Sequence, residues 1–188
     1  MPPAEAKKNT RIWPVLRVYT AATLRYPWTL TAVIVSVFVM NGVSITIPLY
    51  LKQLIDTLSV GAPSDTVVQV LFGILAIYAG LGAVNWIAVT IQRRALQRME
   101  ALVMADLANE AFANLIAHSH DFFLSNFSGT LTRRVTRFSR AYEQVFDSMT
   151  FSFLPTILFS IGSIVVLYSR NHWLGLALLV WVLVFICI

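Results

Sequence analysis

The sequence predicts an all-α integral membrane protein, and three observations carry that reading. Hydrophobic residues make up 57% of the 188-residue chain and charged ones only 12%, with mean hydropathy +0.72, which leaves too little polar surface for a water-soluble domain. The charges are segregated, leaving uncharged stretches at residues 28–51, 66–92, 148–169 and 171–188. Between Gly82 and Gly129 there is neither Gly nor Pro, so nothing interrupts a helix where the second stretch meets its charged flank.

Taken in order, residues 1–9 are polar and Pro-containing and read as a mobile tail. Residues 10–26 mix Trp13, Leu16, Tyr19 and Leu24 with Arg11, Arg17 and Arg25, the aromatic and cationic pattern of an interfacial helix, and Pro27 marks a break before the membrane. Residues 28–51, 66–92 and 148–169 each supply the roughly 20 apolar positions that cross a core of about 30 Å. The fourth span, residues 173–188, barely does, and its end carries no flanking charge or aromatic anchor, so the C-terminus reads as cut within a helix. Gly61 and Pro63 lie in a short connection that makes the first two spans neighbours.

The region 93–147 is a charged arm. Leu96, Met99, Val103, Leu107, Ala111 and Leu115 recur at helical spacing, so a helix over residues 67–117 would run roughly 75 Å, more than twice the hydrocarbon thickness. On the return, Leu131, Val135, Phe138, Tyr142 and Val145 repeat at similar spacing, so two projecting helices would bury their apolar faces together. Between them Phe122, Phe123 and Phe127 crowd a polar tip, with Asp121 and Ser128 as candidate caps. Aromatic groups displayed at such a tip point to a docking surface, against the alternative that they fold back on the helix ends. Pro155 predicts a kink in the third span.

Five cations (Lys7, Lys8, Arg11, Arg17, Arg25) precede the first span and seven (Arg93, Arg94, Arg98, Arg133, Arg134, Arg137, Arg140) lie in the arm. The positive-inside rule therefore places the N-terminus and the arm in the cytoplasm. The arm's cations are nearly matched by Glu100, Asp106, Glu110, Asp121, Glu143 and Asp147, which argues against nucleic-acid binding. His118 and His120 form a poor helical chelate with no cysteine nearby, and Cys187 is the only cysteine, so neither a metal site nor a disulfide framework is expected. The first span is too long for a signal peptide's apolar region and lacks a cleavage site. Asn41, Asn85 and Gln92 are candidate cavity-lining residues, with interhelical hydrogen bonding as the alternative role.

The long arm and its tip resemble the transmembrane domain of ATP-binding cassette (ABC) exporters. The family's aromatic pair, Gly, Leu and Arg are matched by Phe122, Phe123, Gly129, Leu131 and Arg134, and the end of the first span by Pro48, Leu49, Leu54, Ile55 and Asp56. Thr130 and Phe138 depart from acidic positions in the family's pattern, which marks a divergent branch. The resemblance implies an ABC exporter-type fold over residues 27–188, incomplete at three full spans and part of a fourth, preceded by an elbow helix at 10–26. It implies that Asp121, Phe122, Phe123, Leu124 and Asn126, with Gly129 and Arg134, couple to a nucleotide-binding domain whose closure on ATP the arm transmits as a lever.

No G-x-x-x-x-G-K-[ST] phosphate loop is present, so this chain is not expected to bind or hydrolyse ATP by itself. ATP and Mg are expected in a nucleotide-binding domain elsewhere, and the expected partners are that domain in the same polypeptide, a second exporter subunit as homo- or heterodimer, and the lipid bilayer of the plasma membrane. The alternative function is a non-transporting multi-span scaffold whose arm recruits a partner protein.

Overall fold

Pro27 fixes how the chain enters the membrane-length helices. In the computed structural model, which describes residues 12–60, 65–116 and 128–187, α1 (Ile12–Thr23) ends in a tightened turn in which Arg25 N–H donates to Ala22 O and Tyr26 N–H to Thr23 O. Pro27 then opens α2 (Pro27–Val60), the position at which its missing N–H costs nothing, and the Tyr26 carbonyl accepts from both Leu30 N–H and the Thr29 hydroxyl. The helix runs through Pro48 and past the expected end of the first span at residue 51 as far as Val60.

The next helix, α3 (Asp65–Ile116), is a single uninterrupted element of 52 residues, about 78 Å at 1.5 Å per residue. The return path is α4 (Ser128–Ser148), one π-helical turn at Met149–Phe153, and α5 (Leu154–Arg170). After Asn171, α6 (His172–Cys187) completes the described chain. The described residues contain no strand. Three helical runs, Pro27–Ser59, Val67–Ile116 and Arg133–Arg170, are long and apolar enough to cross a membrane, whereas His172–Phe185 is shorter.

The π-turn is a departure from the simple kink expected at Pro155. Leu154 N–H donates to Met149 O, five residues back. Because Pro155 has no N–H, the helix cannot continue its ladder through that position, and widening by one residue is the local solution. The α5–α6 junction is built on Asn171, whose extended backbone (φ −154°, ψ 114°) ends α5 while its side chain caps α6 by accepting from Trp173 N–H at 2.9 Å. Gly175 makes this hairpin tight: a Cβ there would lie 2.6 Å from Tyr168 Cα.

Burial is concentrated away from the span-length windows. In α3 the buried positions are Ala88, Gln92, Leu96, Met99, Val103 and Leu107, a stripe at spacings of three and four that crosses from the apolar half of the helix into its charged half. Large side chains such as Phe72, Trp86 and Phe185 point outward instead. That is the inverse of a water-soluble helical bundle, and it suits helices whose outer faces meet lipid or further protein.

Candidate functional site

The base of the arm is where α1, α3 and α4 meet. Met99 and Val103 are fully buried, Leu107 and Tyr142 nearly so, and Tyr19, Ala22, Val33 and Leu96 complete the cluster, with Phe138 and Phe146 packed against it. The predicted apolar face of α3 is thus the one used. On α4 the face is Val135, Phe138, Ser139, Tyr142 and Phe146, while Val145, expected on it, is 41% exposed, because the helix turns 3.6 residues per cycle and position 146 takes its place.

Polar groups fix the register of this contact. Tyr19 OH donates to Phe138 O at 2.8 Å, and the hydroxyls of Thr23 and Tyr142 lie 3.0 Å apart, so α1 is bonded twice to α4. The rings of Tyr19 and Tyr142 meet edge to face at 5.4 Å, and Tyr142 stacks on Phe146 at 5.7 Å. Burial pushes the Tyr142 hydroxyl above its usual range, so it stays a neutral hydrogen-bonding group.

One turn along α3 from this cluster, charge ties α1 to the arm. Arg25 Nη1 lies 2.6 Å from Glu110 and 3.7 Å from Asp106, and Tyr26 OH donates to Asp106 at 2.8 Å. Asp106 and Glu110 are four residues apart and so share a helix face, which lets one guanidinium reach both. The hydrogen bond and charge of Glu110 hold Arg25 above its ordinary value.

On the other side of the cluster the balance is reversed. Glu100 of α3 lies beside Asp147 of α4 with Glu143 nearby; burial first, and then the charge of Asp147, push its carboxyl from 4.5 up to about 7. Glu100 Oε1 is buried without a hydrogen-bond partner among the described residues.

Higher in the span region lies a cavity of about 200 Å³ between α2, α3 and the π-turn, lined by Val37, Met40, Asn41, Ser44, Gln92, Thr150, Phe151 and Pro155. The structure brings together two of the three predicted cavity residues, Asn41 and Gln92; half-buried Asn85 lies elsewhere on α3. Asn41 bonds within its own helix, its Nδ2 donating to Val37 O at 2.8 Å, rather than across helices. Thr150 and Phe151 lie on the wall because the π-turn rotates them there, and Pro155 was the sequence signal that could have found them.

Of the predicted arm-tip residues, Asp121, Phe122, Phe123, Leu124 and Asn126 lie outside the described residues, as do residues 1–9, His118 and His120. Arg134 is exposed on α4. Gly129 is the second residue of α4. Among the described residues no group of His, Cys, Asp and Glu is placed to hold a metal ion.

With this geometry in place, comparison with known proteins gives two findings. The family described as ABC transporter transmembrane region matches residues 30–188. An uncharacterized ABC transporter ATP-binding protein, YknV of Bacillus subtilis (strain 168), is 24% identical over 146 residues, which are 77% of this chain and 24% of that protein. The chain therefore spans a minor part of the length of that relative.

Proposed function

The chain belongs to the family of ABC transporter transmembrane regions, and from that premise we propose that it is the membrane-spanning part of an ATP-driven exporter. It contributes part of the translocation pathway and couples the motion of a nucleotide-binding domain to alternating access. The observation that carries the reading is α3, one helix of 52 residues whose buried stripe continues from the span into the charged arm. A helix more than twice as long as the hydrocarbon core is thick reaches well outside the bilayer, where α1 and α4 clamp it.

In this reading the N-terminus and arm are cytoplasmic in the plasma membrane, where the excess of Lys and Arg places them. The tip residues Asp121, Phe122, Phe123, Leu124 and Asn126 sit on a nucleotide-binding domain, with Gly129 and Arg134 starting the return. ATP and Mg²⁺ are handled by that domain, and this chain's residues perform no hydrolysis. The name of the relative, an ATP-binding protein, supports a nucleotide-binding domain as partner. A second subunit, identical or related, completes the pathway.

The test uses the full-length protein with Cys187→Ser and Asn126→Cys. A membrane-impermeant maleimide should label position 126 in inside-out vesicles and not in intact cells, and ATP with vanadate should change the labelling rate in the vesicles. Labelling of intact cells would overturn the orientation. A rate indifferent to nucleotide would overturn the coupling and return the arm to a scaffold that recruits a partner.

A further inference from the structure

The buried stripe of α3 is apolar at Ala88, Leu96, Met99, Val103 and Leu107 and polar only at Gln92. Gln92 is 2% exposed and lines the cavity of about 200 Å³. Thr150, 4% exposed, lines the same cavity. A ligand that hydrogen-bonds to the amide and the hydroxyl would offset the cost of keeping both polar groups in this largely apolar wall.

The π-turn at Met149–Phe153 contributes Thr150 and Phe151 to the same wall. The cavity therefore offers the Gln92 amide as donor and acceptor and the Thr150 hydroxyl beside it, with Asn41 and Ser44 on the same wall. Its remaining wall is chiefly apolar, with Val37, Met40 and Pro155, and no charged side chain lines it. Arg93 and Arg94 follow Gln92 directly but are exposed and turn elsewhere.

We propose that this cavity binds the uncharged head of an amphiphile, a head that both donates and accepts hydrogen bonds, such as a primary amide, with the apolar tail passing over exposed Phe151. A charged head would lose its hydration without meeting a counter-charge. The space equals about six or seven waters at about 30 Å³ each, which suits a compact head. The inference names a substrate class for the translocation pathway and rests on the transport reading above.

The test is equilibrium binding, without nucleotide, to the full-length protein in lipid nanodiscs. Three radiolabelled probes share one tail: dodecanamide, dodecanoate and dodecyltrimethylammonium. Dodecanamide should bind about tenfold more tightly than either charged probe, and Gln92→Leu should weaken dodecanamide about tenfold while leaving the others unchanged. Equal binding of the three heads, or indifference to Gln92→Leu, overturns the proposal. Thr150→Val carries the same prediction and decides the matter if Gln92→Leu does not assemble. Gln92-dependent binding with no ATP-driven movement of dodecanamide in vesicles would refute transport and leave the site standing. ATP-driven movement of a lipid or dye without discrimination among heads would refute the site and leave transport standing.

Discussion

Glu100→Gln should tighten the base of the arm at alkaline pH and have little effect at acid pH. Glu100 sits between α3 and α4 beside Asp147 and Glu143, and burial with those charges raises its carboxyl from 4.5 to about 7. The folded chain thus holds a proton that the unfolded chain releases between about pH 4.5 and about pH 7. Stability from this group is fully present at the acid end of that window and falls as pH rises through it. At about 1.36 kcal/mol per unit the shift has a ceiling of about 3 kcal/mol. The carboxyl is only partly buried, so solvent screening brings the effect down to about 1 kcal/mol. Glutamine keeps the size, offers Asp147 an amide donor and removes the charge. Amide hydrogen exchange over residues 96–107 and 135–146, measured on both proteins at one pH, should be about fivefold slower in the variant at pH 8. At pH 5 the two should exchange alike. A ratio that does not change with pH, or faster exchange in the variant at pH 8, would refute the assignment of charge at this seam.

Met99 is fully buried, so Met99→Ala should destabilise the arm base by about 2–5 kcal/mol in thermal melts, whereas Val145→Ala, at an exposed site, should stay within about 0.5 kcal/mol. Arg25→Met should release α1 from Asp106 and Glu110, seen as faster tryptic cleavage at Arg17; about 1 M salt, which shortens the screening length to about 3 Å, should speed cleavage of the wild type in the same direction. Gly175→Ala should destabilise the α5–α6 hairpin by about 1–3 kcal/mol, because the added carbon meets backbone at Tyr168, while Gly73→Ala, with open space around it, should be neutral or stabilising in the same melt.

Much of the architecture is legible in the residues, and what is not has identifiable causes. The absence of Gly and Pro between positions 82 and 129 gives α3 its continuity, and the three-four spacing from Leu96 to Leu107 gives the face that packs. Both depend only on local helical geometry. The clamp by α1 was not legible: Tyr19 and Arg25 read as headgroup-layer residues, Thr23 carried no signal, and their partners Phe138, Glu110 and Tyr142 lie about a hundred residues on, a separation that no periodicity reports. The paired carboxyls at Glu100 and Asp147 are hidden for the same reason. Gln92 and Asn41 could be chosen as polar residues in apolar stretches, but Thr150 reaches the cavity only because Pro155 forces a wider turn, so its orientation depends on an irregularity.

That irregularity leaves the two limbs of the arm mechanically unequal. The outgoing limb, α3, is an unjointed rod, whereas the returning limb, α4 to α5, contains at Met149–Phe153 a turn whose hydrogen bonds are already out of α register. When two such limbs are displaced together at one end, the rod transmits the displacement as tilt and the jointed limb accommodates the difference in path length at its soft point. Under the proposed coupling, axial slip between them would collect at one level, the level of Gln92, Thr150 and Asn41. The wall of the cavity would then be where strain in the arm becomes a change of shape.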